Sequence, residues 1–132
     1  MTELELNQLG VQQRRVMDIV WEYGSVTVQE VLEILNDGTT SPLAYTTVLA
    51  TMQKLEKNGW LTHVCDEQYG RAYRYQAIHS RNKAIGDSLK SFAKTFLGGN
   101  KTLLFQHFVN DTELSEKELD EIRKIIAKRK KQ

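Results

Sequence analysis

The spacing of apolar residues changes once in the first half of this chain, at Gly59, and that change restricts the fold more than any other feature. Before it, three segments carry apolar residues at three- and four-residue spacing, the period of a helix with one buried face. Val16, Ile19, Val20 and Tyr23 mark the first, over about Val11 to Tyr23. Val28, Val31, Leu32 and Leu35 mark the second, which Thr27 and Glu30 open as a capping box and which runs to about Asn36. Val48, Met52 and Leu55 mark the third, over about Leu43 to Lys57, after the turn-rich stretch Asp37 to Pro42. Gly24 ends the first helix, Ser25-Val26 is a short extended piece, and Asn58-Gly59 closes the third helix as a left-handed cap. Beyond Gly59 the period is two: Trp60 to Cys65 reads as one strand and Ala72 to Ala77 as its partner, with Asp66 to Arg71 as the connecting loop.

Three helices followed by a hairpin with a polar tip make the order of a winged helix-turn-helix, the hairpin being the wing. From Ser80 the pattern is helical again. Ile85, Leu89, Phe92 and Phe96 form a stripe ending at Gly98-Gly99, and a short apolar segment, Leu103 to Val109, follows. Ser115 and Glu118 form a capping box for a last helix, with Leu114 toward Leu119 as a hydrophobic staple and Leu119, Ile122, Ile125 and Ile126 as its face. The expected fold class is mainly α with a small β-hairpin: a winged helix-turn-helix domain over 1–78, then a helical dimerisation domain over 79–132. Phe92, Phe96, Leu103, Leu104, Phe108, Ile122 and Ile126 are more apolar surface than three short helices bury by themselves, so a second copy is expected to cover part of it.

Composition removes several function classes. With 132 residues, 40% hydrophobic and 27% charged, the chain is neither membrane-like nor disordered. Its longest apolar run is too short to span a bilayer, and the acidic start MTELELNQLG lacks the regions of a signal peptide, so a cytoplasmic protein without membrane insertion is expected. The single Cys65 permits neither an intrachain disulfide nor a zinc-finger thiolate cluster. His63, Cys65, His79 and His107 are the only soft ligands; His63 and Cys65 would share a strand face, but no third or fourth ligand lies near in sequence, and a structural Cys with a surface His is the preferred reading. No metal and no cofactor is assigned. No nucleophile-and-base pair and no phosphate-cradling glycine loop stands out, so no catalytic role is expected.

Charge poses an objection to nucleic-acid binding. The net charge is +1, but residues 1–78 hold six basic and ten acidic residues, a net of −4, whereas phosphate neutralisation favours a basic excess. Position matters more than the total. With Val48, Met52 and Leu55 inward, the third helix turns Tyr45, Thr46, Thr47, Ala50, Thr51 and Lys54 outward, a short-chained, hydroxyl-rich face almost free of carboxylates. Hydroxyls bond phosphates or base edges, and a threonine methyl or an alanine can touch a thymine methyl. Threonines that merely cap and pack are the alternative, which the order of elements disfavours. Arg71 and Arg74 are expected near the wing tip on its outward side, with Lys54 and Lys57 extending the basic edge, and Tyr73 and Tyr75 toward the core.

Three segments carry a resemblance: Leu9 to Trp21 (LGVQQRRVMDIVW), Ser41 to Leu61 (SPLAYTTVLATMQKLEKNGWL) and Gly70 to Tyr75 (GRAYRY), with a weaker one at Phe108 to Ile122 (FVNDTELSEKELDEI). In this succession they resemble the penicillinase-repressor family of transcriptional regulators, the BlaI/MecI type with its copper-responsive CopY relatives. The resemblance implies binding without catalysis: homodimers on double-stranded, pseudo-palindromic operators, often with TACA/TGTA cores, that block promoters. It places Thr47 and Thr51 where the family's helix approaches bases and phosphates. In the β-lactam branch it implies a sensor-protease pathway that cuts an Asn-Phe bond; the matching pair here is His107-Phe108, so the Asn is missing. The Cys-x-Cys pairs of the copper branch are missing too. Two functions follow for test: operator-binding repression, and a winged helix used as a protein-interaction module, for which the acidic N-terminal part is the main argument.

Overall fold

The computed structural model describes residues 4–70, 72–110 and 113–131. The helices are α1 (Val11–Tyr23), α2 (Val28–Asn36), α3 (Tyr45–Lys57), α4 (Arg81–Phe96), α5 (Lys101–Val109) and α6 (Glu116–Lys130), and the strands are β1 (Ser25–Val26), β2 (Leu61–Asp66) and β3 (Ala72–Ala77). One antiparallel sheet has the order β1-β3-β2, so the extended piece Ser25-Val26 adds a third strand to the hairpin. Val26 pairs with Tyr75, and Tyr75 with His63, which stitches the segment before α2 to the wing. This arrangement is a winged helix.

The chain divides into two compact units, one up to Ser88 and one from Leu89, with the division inside α4. The first unit has a single core of Val16, Met17 and Val20 from α1, Val28, Val31 and Leu35 from α2, Val48, Met52 and Leu55 from α3, and Leu61 and Tyr75 from the sheet. Gly24 and Gly59, both at φ +86°, end α1 and α3 in a backbone region that residues with a Cβ avoid, so the chain turns sharply there. Asn36 clasps the turn before α3: its Nδ2 donates to the Leu43 carbonyl at 3.0 Å and its Oδ1 accepts the Leu43 N–H at 2.8 Å. That clasp holds the Leu43 backbone outside the helix, so α3 begins at Tyr45 rather than Leu43.

Ala84 at the start of α4 belongs to the same core. The Ser88 hydroxyl accepts the Leu6 N–H at 2.9 Å, and the indole of Trp21 donates to the His79 carbonyl at 2.9 Å. Arg81 lies over the Trp21 ring and reaches Asp18. Eight residues of α4 are therefore built into the winged helix. The stripe Ile85, Leu89, Phe92 and Phe96 is exposed, and the buried positions of α4 are Ala84 and Ala93.

Thr27 and Glu30 close the expected capping box on α2, with the Thr27 N–H donating to Glu30 Oε1 at 3.0 Å and the Glu30 N–H to Thr27 Oγ1 at 3.1 Å. The Thr27 backbone N–H above all, then the Thr27 hydroxyl and Arg74, hold the Glu30 carboxyl below the ordinary carboxylate range. A depressed acid stabilises the fold fully above its unfolded pKa, and that contribution disappears as pH falls through the lower, folded value. Glu30→Gln is therefore expected to cost stability at pH 7 and to narrow its gap to the parent as pH drops below about 4, near the carboxylate range. Thermal melting of both proteins from pH 7 to pH 3 measures it.

Candidate nucleic-acid interface

The outward face of α3 is open as expected. Tyr45, Thr46, Thr47, Ala50 and Lys54 are exposed and Thr51 is half-buried. Thr46, Thr47, Ala50, Thr51 and Lys54 line a shallow cleft of about 490 Å³, and no carboxylate lines it. The two central threonines differ in chemistry. The Thr51 hydroxyl donates back to the Thr47 carbonyl at 2.9 Å, so its proton is spent and it offers lone pairs and a methyl group. Among the described residues the Thr47 hydroxyl has no hydrogen-bond partner.

The sixth wall of the cleft is Gln13, from the first turn of α1, which sequence reading did not single out. A signal was present: Gly10, the residue that should cap α1, has no side chain, and Gln13 sits at the position from which a side chain reaches back. Its Oε1 accepts the Gly10 N–H at 3.0 Å.

The wing departs from expectation. Arg71 lies outside the described residues. Arg74 is not an arm near the tip; it sits inside β3, cross-strand from Val64. Its Nε donates to Ser25 Oγ at 3.1 Å, its Nη2 to the Ser25 carbonyl at 2.9 Å, and its Nη1 pairs with Glu30 Oε1 at 3.1 Å. The presence of β1 at the edge of the sheet explains this, because β1 places a serine and a carbonyl beside the β3 face on which Arg74 emerges. Tyr73 also differs: it shares a face with Tyr75, yet it is 55% exposed where Tyr75 is 2% exposed, because it lies past the rim of the core. Lys57 lines a neighbouring cavity with Glu5, Gln8, Asn58, Trp60 and His79, which shares Gln13 with the cleft. Of the three described cations assigned to the DNA side, Lys54, Lys57 and Arg74, Lys54 is the one that lines the cleft.

A latch joins α3 to the wing. His63 on β2 meets Glu56 of α3, Nδ1 to Oε2 at 2.6 Å, and since a carboxylate only accepts, the ring donates. The imidazole packs on Tyr73 at 4.7 Å and Tyr75 at 5.3 Å between ring centres. Burial, then the nearby Glu56 carboxylate, pushes the Tyr75 phenol above its ordinary range. Glu56 thus faces the wing rather than the cleft. Among the described residues no three His, Cys, Asp or Glu side chains gather as a metal site.

In the second unit, Phe92 and Phe96 stack with ring centres 5.0 Å apart, and Phe96 is 67% exposed. Phe108 and Ile126 are exposed as well, while Leu103, Leu104 and Ile122 are half-buried. Phe105, inside the apolar segment of α5, and Ile125, on the face of α6, are exposed too and extend the apolar surface beyond the seven residues expected to meet a partner. His107 and Phe108 fall in the last turn of α5. Among the described residues no helix is long and apolar enough to cross a membrane.

The model of the penicillinase repressor family matches residues 9–128, nearly the whole chain. The chain belongs to the penicillinase repressor family. The transcriptional regulator BlaI of Mycobacterium tuberculosis is 31% identical over 125 residues, covering 93% of this chain and 86% of that protein. The penicillinase repressor of Bacillus licheniformis is 26% identical over 126 residues, covering 96% and 94%. Among solved structures, a mutant of S. aureus MepR bound to an oligodeoxyribonucleotide shares the fold with a TM-score of 0.53 at 18% identity, covering 96% of this chain and 80% of that one.

Proposed function

We propose that this chain is a transcriptional repressor that acts as a homodimer, sets α3 of each copy into the major groove of a pseudo-palindromic operator, and blocks the promoter beneath it. The carrying observation is the α3 face: exposed, rich in hydroxyls and without a carboxylate, on a winged helix of the penicillinase repressor family. Tyr45, Thr46, Thr47, Ala50, Thr51 and Lys54 meet the DNA, and Arg71 follows the backbone from the wing. Thr47, with an uncommitted hydroxyl, reads an acceptor, and Thr51 contributes its methyl. Phe92, Phe96, Leu103, Leu104, Phe108, Ile122 and Ile126 face the second copy. The function places the protein in the cytoplasm with the DNA.

Release by a sensor-protease pathway would act at His107-Phe108. That bond is inside α5, so the last turn of the helix has to open before a protease can take it. His107 in place of Asn favours a different inducing signal.

Footprinting on the DNA upstream of the chain's own coding sequence tests the function. Two protected half-sites with matching sequence, and binding that weakens steeply with salt, are the expected result. Thr47→Ala should then lower operator affinity by roughly 1 kcal/mol or more while random duplex loses less. Absence of salt-dependent binding to any duplex sinks the proposal and favours the protein-interaction module.

A further inference from the structure

We propose that Gln13 is a DNA-backbone contact contributed by α1, donating from Nε2 to a phosphate oxygen beside the groove that α3 enters. This rests on the operator-binding reading above. Gln13 shares the cleft with Thr46, Thr47, Ala50, Thr51 and Lys54, so any duplex seated on those residues runs past it. Its amide is polarised by the local fold. Oε1 is taken by the Gly10 N–H at 3.0 Å, and Nε2 has no partner among the described residues. What Gln13 offers an incoming ligand is therefore an unpartnered N–H donor, beside an oxygen that already accepts one hydrogen bond. Phosphate oxygens only accept and so match the free Nε2, whereas a base edge mixes donors and acceptors and rewards a two-pronged amide, which the Gly10 bond holds back from turning both atoms outward. With Lys54 the cleft thus has N–H donors from two helices. Contacts from separate elements fix the angle at which a reading helix sits, and they do so without sequence preference.

A charge series at position 13 tests this on the full-length chain, with fluorescence anisotropy on the footprinted operator and on a random duplex. Gln13→Glu keeps an oxygen for Gly10 and replaces the donor with an anion. It should weaken binding to both duplexes by a similar factor, roughly tenfold or more, as expected for a lost hydrogen bond to a charged group. Gln13→Ala should fall between Gln13→Glu and the parent, and Gln13→Lys should bind random DNA at least as tightly as the parent. Circular-dichroism melting of each variant, with binding read well below the lowest midpoint, separates contact from unfolding. Equal affinities for Gln13→Glu and the parent on both duplexes overturn the assignment, as does a loss confined to the operator, which makes Gln13 a base reader. If the parent itself binds neither duplex in a salt-dependent way, the operator-binding reading has failed; if the parent binds and only the series is flat, that reading stands and this one falls.

Discussion

A fragment ending at residue 90 is expected to be a folded monomer with operator affinity two to four orders of magnitude below the full chain. In the proposed dimer the loss comes from linkage. When two α3 helices are tied together, the second docks at a high effective concentration, a gain of roughly 10²–10⁴ that disappears when each domain binds alone. The fold should survive because the first compact unit runs to Ser88 and holds the Ser88 bonds to Leu4 and Leu6. A fragment ending at 79, one residue past the boundary expected from sequence, removes Ala84 from the core, the Ser88 clamp and Arg81 over Trp21. It should be less stable by about 2 kcal/mol, adding a buried methyl and lost hydrogen bonds, or about 10 °C in midpoint for a domain of this size. Sedimentation, calorimetry and anisotropy on both fragments decide. A dimeric 90-residue fragment refutes the placement of the dimer interface, and equal midpoints refute the role of early α4.

The second large effect concerns Arg74, for which sequence and structure make opposite forecasts. A free wing arginine contributes one phosphate contact, so Arg74→Ala would reduce the slope of log affinity against log salt by about one unit and leave stability alone. The arginine found here ties β3 to Ser25 and Glu30 through three groups, which stabilises the β1 edge and the start of α2. Arg74→Ala is therefore expected to cost on the order of 1–2 kcal/mol, several degrees of midpoint, while the slope stays near the parent's. The pair with Glu30 is partly solvated, so most of the cost should come from the two bonds to Ser25. Arg74→Lys should restore little, because one ammonium cannot span a hydroxyl, a carbonyl and a carboxylate in a planar fork. Melting curves and a salt titration of all three proteins give the answer. A slope lower by one unit with an unchanged midpoint makes Arg74 a phosphate contact after all.

Elements with local causes were legible in the sequence. The Thr27-Glu30 and Ser115-Glu118 boxes start α2 and α6 through side chains three residues apart, and Gly24 and Gly59 end α1 and α3 through backbone freedom that belongs to the residue itself. The change from period 3.6 to period 2 placed the wing, and the position of Val48, Met52 and Leu55 on α3 dictated which side chains face out. None of these needs a distant partner. The outward face of α3, and with it the most informative part of the candidate interface, was readable for that reason.

The tertiary structure alone decided the destinations of side chains that meet residues far along the chain. Arg74 and Ser25 are separated by 49 positions, and nothing in the spacing of β3 reveals that a two-residue strand will dock beside it. Tyr73 and Tyr75 have the same period and face, so only the edge of the core distinguishes one that is exposed from one that is buried. The apolar stripe of α4 looks like a core face by pattern, yet the helix buries Ala84 and Ala93 and leaves the phenylalanines outside, because periodicity reports that a face is apolar and not which molecule covers it. Gln13 entered the cleft for the same reason: a capping side chain is a local feature, but the packing of α1 against α3 is what brings it beside Thr47 and Lys54.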